Sequence, residues 1–327
     1  MKKTWIISMV APLLLGLGWS ATGLAADEYP NRAIKIIVPY APGGQADSGV
    51  RVMAAGMSQL LNQPIVVENI GGSSGIAALQ NVMKAPADGY TLVYQDPGHW
   101  AINPALYAKL PYDTLRDFAP VGLFATTALF LVTPASFPAN NLQELVALVK
   151  SKPDEFTYAS SGIGSPHHLT MEDFKAALGL KILHVPFKGT GQSVPAMVGG
   201  QVSMGIAALT SVSGFVKEGR IKLIAANTGT RSAFAPNVPT MAEAGISSFN
   251  HGSGLGLFAP AGTPRPVIDK LSSTMARLMA SPDTVTRLAG IGLEPPAATT
   301  PEKLLETVRE DKPKYVRIVK MTGTTVE

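Results

Sequence analysis

The sequence predicts an α/β protein of two lobes joined by crossing strands, with a cleft between the lobes. Three observations predict it. Short β-rich apolar runs alternate with helical stretches, and the alternation occurs twice, in two series of similar size. Two apolar segments, 118–132 and 254–260, stand where the chain must pass between the series. Two amphipathic helical stretches follow the second segment. Strand–helix–strand order makes a mainly parallel sheet covered by helices, and it gathers ligand-binding loops at the carboxyl ends of the strands.

In the first series, 34–38 reads as a strand, 47–61 as a helix, 65–68 as a strand, 74–84 as a helix and 90–94 as a strand. The second series starts near Phe130, with 142–150 helical, 156–159 a strand, 166–178 helical, 183–185 a strand and 193–198 helical. Strands at 202–207 and 221–226 complete it. The closing helices, 266–280 and 301–322, are assigned back to the first lobe. The expected organisation is a leader over 1–26, a discontinuous first lobe of 27–125 and 254–327, and a second lobe of 126–253. Such a paired-strand hinge suggests closure around a small molecule held in the cleft.

Bulk properties narrow the chemistry. The 327 residues, 46% hydrophobic, suit two folded domains. The absence of cysteine removes disulfides, thiolate metal sites and thiol nucleophiles. Five histidines show no H-E-x-x-H spacing, and no metal site is expected. Gly162-Ile163-Gly164 lacks the third glycine of a dinucleotide fingerprint, and no Walker-type G-K-[ST] occurs, so no cofactor is expected. The net charge of +4 includes Lys2 and Lys3, and no basic run points to nucleic acid.

Lys2 and Lys3 precede an uncharged apolar stretch that ends in small residues up to Ala26, the pattern of a cleavable secretion signal. Cleavage after Ala25 and after Ala26 both fit. The alternative is a retained anchoring helix, because 4–26 is long enough to span a bilayer. Pro12 and the glycines at 16, 18 and 23 favour cleavage.

Three strand-to-helix loops carry the candidate binding chemistry. The first is Val38-Pro39-Tyr40-Ala41-Pro42-Gly43-Gly44-Gln45, whose glycines and following helix amides suit an anion. Asp47 is read as a helix cap in preference to a ligand contact. The second runs from Tyr158 to His168, dense in hydroxyl and amide donors, and is equally an ordinary helix start with Ser165 before Pro166. The third, Val185-Pro186-Phe187-Lys188-Gly189-Thr190-Gly191, offers Gly189 and Thr190, with Lys188 read as solvated. Gly71-Gly72-Ser73-Ser74-Gly75 matches the nucleophile-elbow string, so a serine hydrolase using Ser73 stands as the enzyme alternative.

The ordered motifs resemble the Bug family, the substrate-binding components of tripartite tricarboxylate transporters. The resemblance runs through Tyr29-Pro30, Pro39-Tyr40-Ala41-Pro42-Gly43-Gly44, Ala85-Pro86-Ala87-Asp88-Gly89-Tyr90, Val185-Pro186-Phe187-Lys188-Gly189, Gly199-Gly200-Gln201-Val202 and Ala259-Pro260-Ala261-Gly262-Thr263-Pro264. It implies a two-lobed periplasmic binding protein, type II-like, that is not an enzyme. It also implies delivery of a small carboxylate to a large and a small integral membrane subunit. The expected ligand-binding set is Tyr40, Gly43, Gly44 and Gln45 from one lobe and Ser160, Ser161, Gly164, Ser165, His168, Gly189, Thr190 and Ala207 from the other. Where the family often carries an aspartate, this chain reads Ser203-Met204-Gly205-Ile206-Ala207-Ala208, and Gly254 replaces a frequent tryptophan. Those departures imply a roomier, less acidic pocket for a dicarboxylate without an amine, an aromatic one included, with His251 or Ser253 as a donor to its far end. A sensory binding protein feeding a membrane receptor remains the third class.

Overall fold

The computed structural model describes residues 29–246 and 253–325. The leader and His251 lie outside the described residues, as do the side chains of Ser73 and Ser253. The first series folds as β1 (Ile34–Val38), α1 (Gln45–Leu61), β2 (Ile65–Asn69), α2 (Ile76–Met83), β3 (Thr91–Gln95), short helices α3 (Asn103–Leu106) and α4 (Thr114–Asp117), and β4 (Phe118–Thr127). The second folds as β5 (Leu129–Pro134), α5 (Leu142–Ser151), β6 (Thr157–Ser160), α6 (Pro166–Leu178), β7 (Leu183–Pro186), α7 (Thr190–Val198), β8 (Met204–Ala208), α8 (Leu209–Lys217) and β9 (Ile221–Ala226). The chain then supplies β10 (Ser253–Pro260), α9 (Arg265–Met279), α10 (Pro282–Gly290) and α11 (Pro301–Thr322). Among the described residues, no helix is long and apolar enough to cross a membrane.

Two five-stranded sheets result, ordered β2-β1-β3-β10-β4 and β7-β6-β8-β5-β9. Each is mixed where the sequence suggests a mainly parallel sheet. β1 pairs in parallel with β2 and β3, and β6 with β7 and β8, but β10 and β5 run antiparallel to both of their neighbours. The physical reason is connectivity: parallel neighbours within a lobe are joined by helical crossovers, whereas β5 and β10 enter their sheets from the other lobe.

Period-two alternation packs both faces of these sheets. Ile34, Ile36 and Val38 enter one core and Ile37 the opposite one. In the second lobe, Leu129 and Leu131 face one core, Phe130 and Val132 the other. Burial on two faces explains why these strands read as continuous apolar runs. In α9, Ile268, Leu271, Met275 and Leu278 recur at helical spacing and close the first lobe against β4.

The lobes meet at a narrow crossing. Ala128 alone separates β4 from β5, and the return path is tied to it: Leu129 N–H donates to Asn227 Oδ1 at 3.0 Å and Asn227 N–H donates to Leu129 O at 2.8 Å. Asn227 is fully buried there. Gly292, at φ +65°, lets the segment after α10 press on α8, since a Cβ on it would lie 2.3 Å from Thr210 Cγ2. We expect Asn227→Ala to lower unfolding stability by about 1–3 kcal/mol, because it strands the buried Leu129 N–H. Urea denaturation followed by circular dichroism reads the change.

Candidate ligand-binding cleft

Helices α1, α6, α7 and α8 each begin at the carboxyl end of a strand, and all four begin at one cleft of about 1320 Å³ between the lobes. Their first residues, Gln45, Pro166, Thr190 and Leu209, all line it. First-turn N–H groups have no acceptor within their own helix, and aligned peptide dipoles place roughly half a positive charge there. Only α6 has a side-chain cap, Ser165 Oγ accepting from His168 N–H. The N-caps of α1, α7 and α8 are Gly44, Gly189 and Ala208, none with a side-chain bond to the first turn. The cleft is therefore walled by uncapped amide donors, a ready anion site.

Of the residues expected from sequence, Tyr40, Gly44, Gln45, Ser161, Ser165, Gly189 and Thr190 line the cleft. Of the other five, Ser160, Gly164, His168 and Ala207 are buried behind its wall, and Gly43 is exposed outside the lining. Gly43, at φ +84°, donates its N–H to Asp47 Oδ2 at 2.9 Å, so that amide is engaged inside the loop. Gly164 N–H donates to His168 Nδ1 at 3.1 Å, and His168 is buried beneath the loop. Ser160 is buried, with Oγ 2.7 Å from His184 Nε2. Ala207 packs in the core with Phe130 and Val132, because β8 extends one residue beyond the expected strand end and the cleft starts at Ala208. Asp47 is at the third helical position, not the N-cap, and reaches back to the loop.

Sequence reasoning missed the α8 contribution of Thr210, Ser211 and Ser213, and also Asp96. The available signal for α8 was the same strand-to-hydroxyl-rich-turn order that marked the other loops. Lys188 and Lys217 are the ammonium groups among the described lining residues, and Asp96 is the carboxylate.

Asp96 is fully engaged. Oδ2 accepts from the Tyr40 and Tyr94 hydroxyls at 2.7 and 3.0 Å, and Oδ1 accepts from Gly98 N–H at 2.8 Å and lies 3.0 Å from His99 Nδ1, which accepts from Asp96 N–H at 3.3 Å. Burial pushes its pKa up, but His99 and the two hydroxyls outweigh it and hold the carboxyl below the usual range. Tyr40 thus donates its hydroxyl hydrogen bond to Asp96 while lining the cleft. Across the lobes, Gln45 Nε2 lies 3.3 Å from both Thr127 Oγ1 and Thr210 Oγ1. His167, on the second-lobe wall, is pushed down to about 4 by burial and is neutral at physiological pH.

Two α/β lobes around a cleft of helix N-termini define a solute-binding protein. Residues 50–324 match the family described as tripartite tricarboxylate transporter family receptor, and the chain belongs to that family. It is accordingly a binding protein and not an enzyme. Among solved structures it is similar to R. palustris Rpa4515 with adipate, at 31% identity and TM-score 0.79, covering 91% of this chain and 100% of that one. MatC from Rhodopseudomonas palustris with bound malate is 33% identical with TM-score 0.75, covering 89% and 100%. The periplasmic binding protein BugD is 32% identical with TM-score 0.76, covering 91% and 100%.

Asp47 fixes the first loop through Gly43 N–H, Asn69 Nδ2 at 2.9 Å and Arg51 Nε at 3.0 Å. Burial raises its pKa, yet these donors outweigh it and hold the carboxyl below its ordinary value. We expect Asp47→Ala to cost about 1 kcal/mol at neutral pH through the lost hydrogen bonds to the loop. A depressed folded-state pKa means the contribution is complete above the ordinary value and lost as pH falls through the lower one. Thermal melts of the two proteins therefore converge in acid.

Proposed function

We propose that the chain captures a small dicarboxylate lacking an amine, and passes it to the large and small membrane subunits of a tripartite transporter. Export to the periplasm is assigned to the 1–26 leader, and the lobes to 27–125 with 254–327 and to 126–253. The observation that carries the reading is the convergence of four helix starts on one cleft, three of them without a side-chain cap. One carboxylate of the ligand is assigned to Gly44 and Gln45 opposite Ser161, Ser165, Gly189, Thr190 and the first turn of α8.

Charge supports the absence of an amine. Three protein donors, the Tyr40 and Tyr94 hydroxyls and Gly98 N–H, already engage both oxygens of Asp96, so an ammonium group meets no unengaged carboxylate among the described lining residues. Lys188 and Lys217 complement a second carboxylate instead. Tyr40, Phe234 and Leu255 give the wall apolar surface, and the volume admits a ring, which keeps a terephthalate-like acid in the set. The bound acids of the two Rhodopseudomonas palustris proteins, adipate and malate, are dicarboxylates without amines.

Calorimetry and thermal-shift assays with terephthalate, adipate, malate, citrate, aspartate and glutamate test the reading. We expect at least one amine-free di-acid to raise the melting temperature, with about 2.7 kcal/mol of stabilisation at a hundredfold excess over Kd. Tight binding of aspartate or glutamate with none of the others would contradict it.

A further inference from the structure

The 160–165 loop forms one jaw of the cleft, and three of its residues are anchored to histidines. Ser160 Oγ lies 2.7 Å from His184 Nε2, Ser161 Oγ lies 2.7 Å from His167 Nδ1, and Gly164 N–H donates to His168 Nδ1 at 3.1 Å. The last bond determines a protonation state. A ring nitrogen that accepts carries no hydrogen, so His168 is neutral with its proton on Nε2. The His168 and His184 rings stack with centroids 4.2 Å apart, and His184 stacks on Tyr158 at 4.7 Å. Charge on either imidazole therefore opposes charge on the other.

We propose that His168 and His184 are positioning residues that hold this loop in its cleft-facing arrangement only while both rings are neutral, so that acid loosens the jaw. Protonating His168 at Nδ1 turns an acceptor into a donor facing the Gly164 N–H, and that bond cannot survive. Protonating His184 places a cation against a stacked neighbour beneath the loop. The role of the jaw in capture rests on the dicarboxylate reading above; the positional switch itself does not need a ligand.

Burial, not the neighbouring side-chain charges, favours the neutral state of the pair, since Glu172 outweighs Lys175 at both rings. On α6, Glu172 and Lys175 pair at 2.6 Å, and the Tyr158 hydroxyl from β6 also donates to Glu172. Lys175 disfavours charge on both rings and Glu172 favours it. On the far side of α6, Asp173 pairs with Arg317 of α11 at 3.0 Å. β8, packed against α6, brings only the uncharged residues Met204–Ala208. Burial is the largest influence: it lowers His168 and, with His168 adding to it, takes His184 down to about 4 from 6.5. Rings with depressed folded values bind protons more readily once released, so anchoring is complete above 6.5 and drains as pH falls toward the folded value.

The experiment is a ligand-free NMR titration of the exported chain from about pH 7.5 to about pH 3.5. It follows the Gly164 and Gly162 amides and the imidazole nitrogens. His168→Asn puts an amide oxygen where Nδ1 stands, an acceptor that does not titrate. We expect the Gly164 amide and the His168 ring to share one midpoint below 6.5, with Gly164 exchange accelerated about tenfold or more through it, after correction for the intrinsic pH dependence of exchange. In His168→Asn the amide keeps its neutral-pH shift and loses the acid step. An unchanged step in that variant, or a Gly164 amide that stays still while the His168 ring titrates, would overturn the proposal. Should His168→Asn not fold, the wild-type midpoints decide alone: coincidence supports the switch and separation refutes it. Because no acid ligand is present, failure here is distinct from failure of the dicarboxylate reading.

Discussion

An α-helix begins with amide protons that none of its own carbonyls can accept, and this chain aims four such beginnings at one space. The rest of the structure follows from keeping those donors convergent and free. Each helix must start at a strand end, the strand ends must face one another across two sheets, and the caps must be residues without a competing side-chain oxygen. Gly44, Gly189 and Ala208 meet the last condition. Where a side chain does engage the loop, as Asp47 does through Gly43, it lies behind the wall and leaves the first-turn amides open.

The two-lobed layout turns that local chemistry into capture. The sheets share one strand order, and in each the fourth strand is the one received from the other lobe. The β4–β5 crossing is a single residue, Ala128, and the chain leaving β9 is hydrogen-bonded to it through Leu129 and Asn227. Gln45 reaches from the start of α1 to Thr127 and Thr210, linking donors on both sides of the cleft.

Local punctuation made much of this readable in the sequence. Helix α6 is legible to the residue because Ser165 and Pro166 mark its start and Gly179 its left-handed end. Strands β1 and β9 are equally plain, as apolar β-branched runs. α8 was not legible, since Leu209-Thr210-Ser211-Val212-Ser213-Gly214 is poor in helix formers and reads as a turn; tertiary contacts with β8 and β9 override that propensity. Asp96 was missed for another reason. Its partner Tyr40 is 56 positions away, and only the parallel register of β1 and β3 brings their ends together. Ser160 and His168 carry the expected residue types, but side-chain direction turns them under the loop, which spacing alone does not reveal.

The central claim is that helix-start amides, and not the rim lysines, hold the ligand's carboxylate. A crystal structure of the chain with a bound dicarboxylate tests it most directly. We expect carboxylate oxygens about 3 Å from first-turn N–H groups of α1 and of at least one of α7 and α8. A di-acid seated with both carboxylates on Lys188 and Lys217, its oxygens remote from those amides, would contradict it.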